Sequence, residues 1–346
     1  MNHSNFTFNN INSNIKEIIR NYQKSSLPKS IWQLSSNLIA YILLWAAMYL
    51  SLDISYWLTL LLAVPAAFMV VRIFIIQHDC GHGSFFKSRD ANDLWGVICS
   101  LFTLTPYHYW KQGHSIHHAS AGNLEARGIG DIYTMTVSEY LSSSKWERFK
   151  YRIYRNPVVL FLVIPTILFV ILYRFPIARS KSLKPTYPSI YYTNLILGGI
   201  FVLTGLTLGF TEVLMIQLPV TFISSTAGVW LFYVQHQFEE TYWANDEAWN
   251  FTLSALQGSS YFKLPKILQW ATGNIGYHHI HHLSPKIPNY HLEKCHKENP
   301  VFQQAVTLTL LTSFKTMFLS LWEENQKKLV SFRYLKKFRA NHEGGI

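Results

Sequence analysis

Apolar positions along this 346-residue chain fall into long blocks, not the short alternating runs of a half-buried sheet. Residues 36–52 and 56–76 form one pair of blocks, with a tight turn at Asp53 between them. Residues 193–210 and 213–234 form a second pair, with Glu212 at its turn. A helix needs about twenty apolar residues to cross a bilayer, so the pattern predicts two membrane hairpins. Two further blocks, 94–104 and 158–173, are short for a crossing. Around these lie a polar lead-in at 1–30, with a short helix expected near Ile15–Tyr22, and a tail at 339–346. The lead-in lacks the layout of a signal peptide, so the first apolar block is expected to stay in the mature protein. Leu311, Phe314, Phe318 and Leu321 recur at helical spacing, predicting a closing amphipathic helix over 306–322.

Composition sharpens this picture. The chain is 49% hydrophobic, 16% aromatic and only 14% charged, against roughly a quarter charged in soluble domains. Its net charge of +11 suits basic loops facing an anionic leaflet, and the scatter of those charges excludes a nucleic-acid stripe. Three dispersed cysteines make no disulfide framework and fit reduced thiols. Arg72, near the end of the second block, is expected to snorkel to the interface.

Candidate chemistry gathers in three histidine clusters: His78-Asp79-Cys80-Gly81-His82, His114-Ser115-Ile116-His117-His118 and His278-His279-Ile280-His281-His282. Histidines at i, i+3 and i+4 share a helix face. With His236 at the end of the fourth block, the candidates are His78, His82, His114, His117, His118, His236, His278, His281 and His282. His279 falls between the shared positions and is left out. One zinc ion needs four ligands at most, so nine imidazoles point to two redox-active metals of higher coordination number. A shared site requires all nine on one side of the membrane. Block 94–104 therefore cannot cross, and 158–173, basic on both flanks, is the other block to leave out. The expected fold is an all-α integral membrane protein with four transmembrane helices in two hairpins. A cytosolic helical cap (77–192 and 235–338) holds the His-rich di-metal site within a single domain at 31–338.

The three clusters resemble the histidine boxes of the membrane fatty acid desaturases. Val234-Gln-His-Gln-Phe-Glu239, Tyr154-Arg-Asn-Pro157, Gly273-Asn-Ile-Gly-Tyr-His278 and His282-Leu-Ser-Pro-Lys-Ile-Pro-Asn-Tyr290 extend the likeness. From about Ser30 to Phe338 the chain is similar to the Bacillus-type acyl-lipid (phospholipid) desaturases. That resemblance implies two iron ions ligated by histidine, with O2 as co-substrate, placing a cis double bond in phospholipid-linked acyl chains at Δ5. It also implies a bacterial plasma-membrane location with the active site on the cytosolic side. Metal-bound histidines usually give their second N–H to a carboxylate or carbonyl, making Asp79, Asp131, Glu239, Glu240 and Asn274 candidate supports. The chain carries no nucleotide-binding glycine fingerprint, so electrons are expected from a separate ferredoxin or flavodoxin. Basic residues Lys145, Arg148, Lys150 and Arg152 suit such an acidic donor, or simply mark the cytosolic side. The run Trp230–Val234 suits either an acyl tunnel or an interfacial belt. A fatty acyl or carotenoid hydroxylase on the same scaffold is the alternative. A metal or haem transporter would instead place its histidines and acids within the spans.

Overall fold

The computed structural model describes residues 15–177 and 180–335; the tail at 339–346 and the first fourteen residues of the lead-in lie outside them. Residues 15–20 are helical, as expected near Ile15–Tyr22.

Four helices are long and apolar enough to cross a membrane. Helix α1 (Leu27–Ser51) starts with Pro28 in its first turn, where a missing N–H costs nothing. Helix α2 (Tyr56–His82) runs 27 residues, about 40 Å at 1.5 Å per residue, against a hydrocarbon core of about 30 Å. The block 56–76 is thus only the membrane part of a longer rod, which ends at Gly83 in the left-handed conformation (φ 64°). Two shorter helices follow, α3 (Arg89–Phe102) and α4 (Tyr107–Ser120). They close tightly because Gly96 has no side chain: a Cβ there would lie 2.3 Å from the Tyr107 ring. Helix α5 (Lys145–Tyr154) leads, through a 59° bend, into the helical turns of 159–174. Helices α6 (Tyr187–Leu208) and α7 (Phe210–His236) meet at Gly209 and make the second hairpin. Beyond them lie the short helix α8 (His278–Leu283) and helix α9 (Asn289–Glu298).

The two hairpin turns lie at the same end of the bundle. Tyr49 Oη donates to the Leu208 carbonyl at 3.3 Å and Tyr56 Oη to that of Met215 at 3.2 Å. At the core, Ala63, Ala66 and Ala67 of α2 share a cluster with Ile216 and Val220 of α7, small residues that let helices approach closely. Leu195, Leu203 and Leu206 of α6 face outward, a surface suited to lipid. At the opposite end, α2 and α7 finish on His82 and His236.

Block 158–173 follows the 59° bend and packs along α7. Phe161 packs on Tyr233, Thr166 Oγ1 lies 3.5 Å from Ser225 Oγ, and Arg174 donates to the Leu104 carbonyl. Its two ends therefore lie beside residues near the histidine end of the bundle.

Two expectations are overturned. Arg72 does not snorkel. It is buried, with Nε donating to Asn37 Oδ1 at 2.8 Å, Nη1 donating to the Trp270 carbonyl, and its guanidinium 4.0 Å from the Trp270 ring centre. A charge beside a carbonyl, an amide and an aromatic face has partners enough to remain inside. Nor is 306–322 one helix. Strand Thr307–Thr309 pairs with Tyr261–Lys263, a short helix covers Leu310–Thr316, and strand Leu319–Glu323 pairs with Met135–Thr136 and Lys328–Ser331. Tyr233 Oη donates to the Thr316 and Leu319 carbonyls and Arg155 Nη2 to that of Leu319. Those carbonyls would otherwise accept the next turn of helix.

Candidate metal centre

Four elements aim the candidate histidines at one point. The last turns of α2 carry His78 and His82 one turn apart, their rings 4.7 Å centre to centre. Helix α4 brings His114, His117 and His118, and α7 ends on His236. Gly273 and Asn274, both left-handed (φ 55° and 59°), turn the chain into α8 with His278, His281 and His282. The turn sits hard against α2: a Cβ on Gly273 would come within 2.9 Å of Ile75.

The nine rings sort into two sets. His78, His82, His114, His118 and His281 offer nitrogens all within 4.8 Å of one another, and so do His117, His236 and His282. His278 joins the second set, its Nε2 3.0 Å from that of His236. Other Nε2 pairs are equally close: His118 to His114 at 3.1 Å, His281 to His118 at 3.0 Å and His117 to His236 at 3.2 Å. Two ligands about 2.1 Å from one ion and at right angles to each other stand about 3.0 Å apart, so the spacing suits neighbouring ligands of a metal. Nε2 of His82 and of His282 is buried without a hydrogen-bond partner, a cost that a metal would remove. Burial first, then the neighbouring imidazoles, hold His114, His118, His278, His281 and His282 well below the usual histidine value. They are therefore neutral, with lone pairs free to bind a cation.

The expected supports divide. Asp131 Oδ1 accepts from Nδ1 of His117, and Asp79 Oδ1 lies 3.2 Å from Nδ1 of His78. The other Asp79 oxygen is held by Asn289 through its backbone N–H at 2.7 Å and its side-chain amide at 2.8 Å. Glu239 and Glu240 are exposed and Glu239 faces Lys328, so neither touches a histidine. Helix α7 ends at His236, Phe238 packs into the core and only at Glu239 does the chain face outward, which explains the miss. Asn274 Nδ2 reaches the Asn289 carbonyl at 3.4 Å, and the residue serves the turn through its left-handed backbone. His279 points away from both sets, wholly buried near His296 and Tyr261.

Sequence spacing did not reveal the remaining neighbours. Nδ1 of His236 donates to the Gly258 carbonyl at 3.1 Å. Trp110, one turn before His114, stacks on it at 4.7 Å and 14°, a contact that i, i+4 spacing could have signalled. Phe232, from the aromatic run, covers His117 and His236 at 5.1 and 5.3 Å. The same run sends Tyr233 inward to the carbonyls of 316 and 319 and Trp230 against Phe161 and Phe314.

The family pattern described as "Fatty acid desaturase" matches residues 54–309, which include all nine histidines. The chain belongs to the fatty acid desaturase family. Among its relatives, a protein named "Fatty acid desaturase" from Bacillus subtilis (strain 168) is 46% identical over 315 residues, 91% of this chain and 89% of the relative. The "sn-1 oleoyl-lipid 12-desaturase" of Synechocystis sp. is 28% identical, over 65% of this chain and 64% of its own. The "sn-1 acyl-lipid omega-3 desaturase (ferredoxin)" of Nostoc sp. is 29% identical, over 65% and 63%. This desaturase is accordingly an oxidoreductase, and its histidine cluster lies at one end of four apolar helices.

Proposed function

We propose that this desaturase acts on phospholipid-linked saturated acyl chains, using O2 and two electrons to form a cis double bond at Δ5. Two iron ions would occupy the two histidine sets. His78, His82, His114, His118 and His281 would hold one ion, and His117, His236, His278 and His282 the other. The observation that carries this reading is the convergence of nine imidazoles, none of which remains over once two ions are supplied. When bound, such an iron pair activates O2 and provides the oxidant that removes two hydrogens from an unactivated chain.

The chain's own residues orient and shield. Asp131, the Gly258 carbonyl and Asp79 each take the Nδ1–H of a histidine, which leaves its Nε2 lone pair facing inward. Asn289 locks Asp79 in turn. Trp110 and Phe232 lie flat or tilted against ligand rings, limiting water beside them. The electron donor in this reading is a ferredoxin or flavodoxin, in keeping with the word "ferredoxin" in one relative's name. The membrane is the bacterial plasma membrane, with the histidines on the cytosolic side. The domain runs over 31–338, and 94–104 and 158–173 do not cross.

Expression in a host with saturated lipids, followed by mass-spectrometric location of the new double bond, tests the proposal. A double bond between C5 and C6 of phospholipid acyl chains is expected. A hydroxylated chain would overturn desaturation, and a bond elsewhere would overturn Δ5 alone.

A further inference from the structure

Helix α5 presents an arrangement that the histidine chemistry does not use. Trp146, Phe149 and Ile153 recur at helical spacing and stand 63%, 52% and 45% exposed, with the Trp146 and Phe149 rings stacked at 5.5 Å. On a helical wheel Lys150 borders one side of this stripe, while Lys145, Arg152 and Arg148 border the other. The single acid, Glu147, is committed to the helix start: it accepts from the Ser144 N–H at 2.9 Å, while Ser144 Oγ accepts from the Glu147 N–H at 3.2 Å.

The stripe cannot simply rotate inward. On the opposite face, Tyr151 Oη accepts from the Met135 N–H at 3.0 Å and donates to the Ser320 carbonyl, and Tyr154 Oη accepts from the Tyr133 N–H at 3.0 Å. Past the bend, the outward apolar surface continues through Val158, Leu162 and Val163 toward the spans.

We propose that α5 lies in the headgroup layer of the bilayer, with Trp146, Phe149 and Ile153 in the acyl region and Lys145, Arg148 and Lys150 on anionic lipid headgroups, while Arg152 is held by Tyr140 and Phe332. Three observations favour lipid over an acidic protein partner. Apolar residues form the centre of the face and cations only its border, the pattern of an interfacial helix. The face is continuous with apolar surface leading to the membrane-spanning helices. Its charge is complementary to an anionic leaflet. The inference goes beyond the proposed function and stands whatever bond the enzyme forms. It moves Lys145 and Lys150 from the reception of an electron donor to the reception of lipid.

The test uses the full chain with p-benzoylphenylalanine at Phe149, reconstituted in vesicles of phosphatidylcholine and phosphatidylglycerol in equal parts. On irradiation the probe should capture lipid, with phosphatidylglycerol in excess, while the same probe at exposed Lys297 on the cap captures none. Combining Lys145→Gln with Lys150→Gln should lower the phosphatidylglycerol-to-phosphatidylcholine ratio about 30-fold, at about 1 kcal/mol for each of the two cations. No lipid capture at Phe149 would overturn the proposal. So would loss of lipid capture in favour of a cross-link to added ferredoxin, which would make α5 a protein-docking face. An unchanged ratio in the lysine variant would overturn the anionic preference.

Discussion

The two histidine sets are built by different means. The five-histidine set draws four members from two helices, His78 and His82 on α2 and His114 and His118 on α4, each pair one turn apart. Of its outer nitrogens, Nδ1 of His78 has a carboxylate beside it, whereas Nδ1 of His118 and of His281 is buried without a partner. Its geometry comes from helix backbone. The four-histidine set draws on α4, α7 and α8, and two of its members are pinned from behind, His117 by Asp131 and His236 by the Gly258 carbonyl. His117 and His236, each the one ring its helix gives this set, are the two that a hydrogen bond fixes; His278 and His282 stand one turn apart on α8, and Nδ1 of His278 is buried without a partner. The contrast teaches that support residues matter most where the ligands come from separate elements.

The comparison can be broken by experiment. The largest effect is expected from His281→Ala, which removes the member of the five-histidine set that α8 supplies. Double-bond formation should fall below detection while the protein still inserts, and metal content should drop; retained activity would refute the assignment of His281. Next, Asp131→Asn should lower activity or metal affinity about 10–100-fold, the usual range for such supports. Asp79→Asn should do less through metal affinity and more through thermal stability, because Asp79 also holds the backbone of Asn289. Equal effects of the two on metal affinity would remove the distinction drawn here. Third, a chelator should strip metal in two phases, the four-histidine set first, and Asp131→Asn should speed only that first phase.

The smallest effect on turnover belongs to His279. His279→Gln should keep double-bond formation at neutral pH, in contrast to its neighbour His281. Its signature is in stability. Burial, with His296 beside it, pushes the His279 value down to about 3. Its ordinary value is about 6.5, so an unfolded chain takes up a proton there before the folded one does. The folded state therefore loses stability as pH falls from about 6.5 toward 3, and nothing is lost from this group above that window. In denaturation measured across that window, His279→Gln should show a shallower decline, by up to about one proton.

Much of this was readable from sequence because it is local. Block lengths reveal spans, and i, i+3 and i+4 spacing reveals which box histidines share a face and why His279 does not. What could not be read depends on distant contacts. Asp131 reaches His117 because Gly130, left-handed at φ 75°, packs where a Cβ would lie 2.9 Å from the Gly113 carbonyl. Glu239 and Glu240, three and four residues from His236, are turned outward. Sequence proximity misled there and tertiary closeness decided. Arg72 is held inside by Trp270, 198 residues later. The apolar repeat of 306–322 is real, yet Tyr233 and Arg155 take the carbonyls a continuous helix would need.

The overshoot of α2 has a consequence for how such an enzyme can change. Its outer turns carry His78 and His82 rigidly, with Arg72 clamped six residues below His78. Adding one residue between clamp and ligands would raise them by about 1.5 Å and also swing them about 100° off target. Only whole turns, about 5.4 Å each, keep the aim. The height of the α2 histidines above Arg72 is therefore quantised in coarse steps, so that finer changes in their placement must come from the elements packed against them.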